Sequence, residues 1–133
     1  VKTPGSGTSL TGVWTGRYAY PRALAPVPFL ATLIEFGGNF TGSIHEPDDT
    51  GTGAVAYASI EGLRQGNEVT FTKVYDNAVS QHDLPIRYSG QLNSDATEIK
   101  GRWMIPGHWS GDFVMLRELR KEKTKKRKAT ERL

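Results

Sequence analysis

Apolar residues in this chain come in short stretches that alternate with polar ones, and turn residues interrupt them every 8–14 positions or so. Strand-like runs at such even spacing predict an all-β sandwich or barrel. Eight strands are expected, over residues 12–20, 29–36, 39–45, 54–63, 68–75, 86–92, 98–105 and 109–117. The links at 37–39, 64–67, 93–97 and 106–108 are far too short for parallel crossovers, so their strands must run antiparallel. A proline-rich stretch (21–28) and a polar one (46–53) read as longer connections. The expected fold is an eight-stranded, up-and-down antiparallel β-barrel.

Alternation along each strand separates an inner from an outer face. Ile99, Gly101, Trp103 and Ile105 share one face, with Lys100, Arg102 and Met104 on the other. Trp109, Gly111, Phe113 and Met115 oppose Ser110 and Asp112, and Ile86, Tyr88, Gly90 and Leu92 oppose Arg87, Ser89 and Gln91. Val69, Phe71, Lys73 and Tyr75 form the inner face of the fifth strand, where Lys73 is out of character. A local irregularity that turns Lys73 outward is one reading. The other is that it points inward and meets an anionic partner or a water-filled cavity, because a buried unpaired ammonium is costly.

A short pattern recurs six times: TGVW, TGRY, TGSI, SGQL, KGRW and SGDF. Each glycine precedes the large apolar residue by two positions, so both face the same way. Glycine there removes bulk beside the large side chain and lets a strand coil sharply, which barrel closure requires. The motif reads as structural.

These same residues carry a family resemblance. Gly12-Val13-Trp14 resembles the Gly-x-Trp signature of the calycins, which include lipocalins, fatty-acid-binding proteins and avidins. SLTGVWTG resembles the first strand of the avidins, GGNFTGSI their third, YSGQL their sixth and EIKGRWMI their seventh. The resemblance implies a calycin-type barrel from Leu10 to Arg117 and a ligand held inside it. It further implies that Phe71, Tyr88 and Trp103 stand where the family stacks aromatic rings, and that Arg117 packs over Trp14. The polar biotin contacts are not kept: Gly16, Ile44 and Glu46 occupy positions where the family uses Asn, Tyr and a hydroxyl. The link at 106–108 is also too short to supply a swapped tryptophan. A site designed around hydrogen bonds loses orders of magnitude without them, so biotin is not the expected ligand.

Composition refines this picture. The chain has 133 residues, enough for one domain with a real core, and its apolar content of 37% is supplemented by 15 glycines. It contains no cysteine, which excludes disulfides, thiolate metal sites and cysteine nucleophiles and fits a reducing compartment. No apolar run is long enough to span a bilayer and no signal-like stretch is visible, so a cytoplasmic location is favoured. The first residue is Val1, as in a trimmed or processed chain or a domain cut from a longer one.

The net charge of +3 is unevenly spread. From Arg117 onward nine Lys/Arg face three Glu, a net of +6, which leaves a body of 116 residues at −3. The expected organisation is a flexible lead-in (1–10), the barrel (11–117) and a basic tail (118–133). The tail offers charge to nucleic acid or an anionic membrane. It carries no aromatic residue to stack on a base, which favours a solvated tail.

The candidate ligand wall is Trp14, Tyr18, Phe71, Lys73, Tyr75, Tyr88, Trp103 and Phe113. Glu46 and Arg87 are further polar groups of interest, and Lys73 suggests an anionic ligand head. The same aromatic set equally describes a barrel packed with its own side chains. IHEPDD (44–49) gathers a histidine and three carboxylates without a recognised metal spacing and reads as an exposed loop. SQHD (80–83) contains Ser, His and Asp, but adjacency does not make a triad. No catalytic set, metal site or cofactor is expected. Two functions remain open: a non-enzymatic barrel binding a small, mostly apolar ligand, or a scaffold with a filled barrel that docks on a protein partner.

Overall fold

A computed structural model describes residues 8–21, 25–47, 55–76 and 84–119. Eight strands follow one another: β1 (Gly12–Tyr18), β2 (Val27–Phe36), β3 (Asn39–Pro47), β4 (Val55–Gln65), β5 (Glu68–Tyr75), β6 (Ile86–Leu92), β7 (Glu98–Ile105) and β8 (Trp109–Leu116). Each strand pairs antiparallel with the next, and β8 closes on β1, with Thr15 opposite Leu116 and Tyr18 opposite Phe113. The result is a closed up-and-down barrel, as the alternation predicts, and at this coarse level it is consistent with a calycin-like fold.

β5, β6 and β7 have the expected bounds, whereas β3 runs two residues further, to Pro47. That extension comes from pairing: Glu46 lies opposite Ala56 and Pro47 opposite Val55. The expected exposed loop at 44–49 is therefore strand as far as Pro47, and Asp48 and Asp49 lie outside the described residues. The β2–β3 hairpin turns on Gly37 and Gly38, both at positive φ (58° and 91°), a conformation that glycine adopts without penalty.

β1, β3, β5 and β7 all start at one end of the barrel, here called the lower end, and finish at the upper. The lower end is closed by the segment before β1. Leu10, grouped by composition with the flexible lead-in, is instead fully buried. Its N–H donates to Glu35 Oε1 (2.7 Å), and its carbonyl accepts from the Trp14 indole Nε1 (2.9 Å). Arg117 lies 4.3 Å from the Trp14 ring centroid and donates to the carbonyls of Ala96, Thr11 and Ser9. The packing of Arg117 over Trp14 is thus observed.

The glycine motif has a direct cause. A methyl group at Gly16 would enter the Phe29 ring, and one at Gly111 would meet the Ala19 carbonyl and the Trp103 indole. These glycines let rings and backbone pass where a Cβ would stand.

Candidate functional site

The expected ligand wall divides into three layers. Trp14 belongs to the lower seal, with Leu10 and Arg117. Phe71, Tyr88 and Phe113 fill the middle, with Phe71 and Tyr88 stacked at 4.6 Å and Phe113 edge-on to Tyr88 at 4.9 Å. Tyr18, Lys73, Tyr75 and Trp103 gather toward the upper end.

The alternation of β5 turns Lys73 inward, where it is fully buried. The anionic partner it needs is Glu46, the chain's own residue, brought in by the extra length of β3. Lys73 Nζ donates to Glu46 Oε2 (2.8 Å), while the Tyr18 and Tyr75 hydroxyls donate to Glu46 Oε1 (3.0 and 2.6 Å). The Tyr88 hydroxyl lies 3.5 Å from Nζ. Rings surround the ammonium, which sits 4.7 Å from the centroids of both Tyr18 and Tyr75 and 5.8 Å from that of Tyr88. This is a carboxylate-bearing aromatic cage whose cation is a tethered side chain.

Burial dominates the electrostatics. It pulls the Lys73 ammonium below the ordinary lysine range, and the Glu46 carboxylate opposes that shift. Burial followed by the Glu46 charge lifts the Tyr18 and Tyr75 phenols far above the usual tyrosine range. Tyr88 is raised by burial first, then by Tyr75 and Glu46. The pair as a whole is neutral, so an anionic ligand head would meet a carboxylate already bound to the only buried lysine among the described residues.

Above this cluster lies an apolar rim. Tyr20, Val27, Tyr75, Ile86 and Ile105 are only partly buried, and all five belong to the upper end. The Trp103 indole N–H donates to the Ala19 carbonyl (2.9 Å) and holds that ring beneath Tyr20 (centroids 5.6 Å apart). Trp109, expected on the inner face, has the right parity but is 51% exposed, because it starts β8 beyond the rim and leans on Tyr20.

Glu46 and Tyr20 are the site residues missing from the expected wall. Alternation from Ile44 points to Glu46, and alternation from Tyr18 points to Tyr20. Arg87 faces outward. It borders a groove of about 590 Å3 on the outside of the barrel, together with Leu63, Arg102 and Met104. Among the described residues no cluster of His, Asp and Glu is placed to hold a metal. SQHD (80–83) and the basic run from residue 120 lie outside the described residues. Among the described residues no helix is long and apolar enough to cross a membrane.

No protein-family model matches this chain, and no curated protein or solved structure is matched either.

Proposed function

We propose that this chain is a non-enzymatic binding barrel whose site is its upper mouth. A small ligand would lay its apolar body against Tyr20, Val27, Ile86 and Ile105 and direct one polar end at Tyr75 and the Glu46–Lys73 pair. The observation that carries this reading is the gathering at one end of the five partly buried apolar residues that pack against the core, over a buried polar cluster, while the opposite end is sealed. Apolar walls with a few converging polar groups are the usual make-up of a small-ligand site. The balanced charge of the pair favours a neutral polar end over the anionic head that Lys73 alone suggests.

The likeness to the avidins supports the same reading through Phe71, Tyr88 and Trp103, all of which line the interior. It does not extend to biotin: Gly16 and Ile44 carry no hydrogen-bonding side chain. Native mass spectrometry of protein purified without refolding tests the reading, with and without added biotin. A co-purified small mass, released on mild activation and unaffected by biotin, is expected. A ligand-free mass, together with tryptophan fluorescence unchanged by a panel of small apolar ligands, would overturn it.

One observation favours the docking module. Val13, Leu30, Ile34 and Leu116 are exposed on the outside of β8, β1 and β2, and Thr15 lies opposite both Leu30 and Leu116. The same mass spectrum, which counts subunits, would detect an assembly built on that strip.

A further inference from the structure

We infer that Lys73 is a covalent anchor for aldehydes, forming a reversible imine with an apolar aldehyde that enters through the upper mouth. This names the ligand class of the site proposed above and rests on that reading.

Three features of the geometry point there. First, the Lys73 nitrogen has a proton acceptor in contact, Glu46 Oε2 at 2.8 Å, and the side chain is fully buried. A single proton shift along this hydrogen bond produces the nucleophile. Burial lowers the affinity of Lys73 for its proton, which works in the same direction. Second, Lys73 lies one inward position below Tyr75, a rim residue of the upper end. Third, the ring cage holds a cation whatever its chemistry, and an iminium is a cation of the same charge in the same place.

The reaction balances without any further reagent. Glu46 takes a proton from the ammonium, and the free amine lone pair attacks the carbonyl carbon. The nitrogen passes a proton to the former carbonyl oxygen to give a carbinolamine. Glu46 then returns its proton to the hydroxyl group, the C–O bond breaks, water leaves, and the C=N+ bond forms. Ammonium and aldehyde have become iminium and water, with Glu46 again a carboxylate beside a cation. Tyr18 and Tyr75, both donating to Oε1, keep Oε2 free to handle the proton.

The probe is cinnamaldehyde, added below one equivalent, with cinnamyl alcohol as the congener that lacks a carbonyl. Cyanoborohydride traps the imine as a secondary amine, adding the mass of the aldehyde less one oxygen, and peptide mapping locates it. The expected result is one adduct at Lys73, in preference to the other lysines, and its loss in the Lys73→Met/Glu46→Gln double variant. The double change removes the amine without stranding a buried carboxylate, so the barrel should still fold, which circular dichroism checks. Adducts spread over other lysines, and equal in the double variant, would overturn the inference. If cinnamyl alcohol still perturbs tryptophan fluorescence in that case, the non-covalent site survives and only the anchor fails. If neither compound binds, both readings fail.

Discussion

Lys73 Nζ and Glu46 Oε2 lie 2.8 Å apart inside the barrel, where neither side chain reaches solvent to any useful extent. Two residues that read from sequence as an oddity and as part of a loop are thus a single structural unit. The pair is fixed by strands that are not neighbours, since β4 stands between β3 and β5.

Breaking the pair from one side should be severe. Lys73→Met leaves the Glu46 carboxylate buried without its cation, and about 3–5 kcal/mol of stability should be lost. The Lys73→Met/Glu46→Gln double variant should recover most of it, because the amide oxygen can still accept from the two phenols. Urea unfolding of the two variants provides the check; equal losses would mean that the charge balance is not what matters.

The lower seal depends on the shape of Arg117 as well as its charge. Its guanidinium covers Trp14 and reaches three carbonyls. Arg117→Ala should cost on the order of 2 kcal/mol, and Arg117→Lys should restore less than half, because an ammonium cannot span three acceptors while stacking on an indole. Chemical denaturation and quenching of Trp14 fluorescence would report both effects.

Gly16 and Gly111 should not tolerate alanine. Each added methyl would enter an occupied ring or carbonyl, so a loss of about 1–3 kcal/mol is expected at either site. Gly37→Ala provides a comparison: its φ of 58° penalises any side chain, but its surroundings are open. The expected cost there is about 1 kcal/mol, from backbone strain alone. A clash-limited and a strain-limited glycine should therefore separate in a thermal melt.

Alkali should unfold the protein steeply. Tyr18, Tyr75 and Tyr88 keep their protons in the fold at pH values where an unfolded tyrosine ionises, near pH 10. Above that pH the unfolded chain binds fewer protons than the native one, so stability falls, by up to about 4 kcal/mol per pH unit for three phenols. Lys73 acts in the opposite sense: its native affinity for a proton is lowered, so stability rises with pH until about 10.4, where the unfolded lysine also deprotonates. The tyrosines outnumber it, and beyond that pH they act alone. Phenolate absorbance for three tyrosines should appear together with loss of the fold's circular dichroism. Their ionisation within an intact barrel would contradict the buried cluster.

What could be read without coordinates was the part of the structure that local rules govern. Period-two alternation depends on the strand alone, so the inward positions of Phe71, Tyr88, Trp103 and Phe113 were legible, as was the awkward inward Lys73. Hairpin links of a few residues impose antiparallel neighbours, and glycines beside large apolar residues signalled closure. Strand ends were less legible. The extension of β3 through Glu46 to Pro47 depends on β4 offering Ala56 and Val55 as partners, and a proline among acidic residues looks the same in a turn.

The candidate site itself was decided by the closed barrel. Whether Trp14 joined the ligand wall or the lower seal depended on where Leu10 and Arg117 came to rest. Whether Lys73 awaited an anionic ligand or already had a partner depended on Glu46, 27 residues away in sequence. A lysine's need for a counter-charge is written in its chemistry. Which carboxylate meets it is set by register, by the curvature that closes eight strands into one layer, and by the small interior those strands enclose.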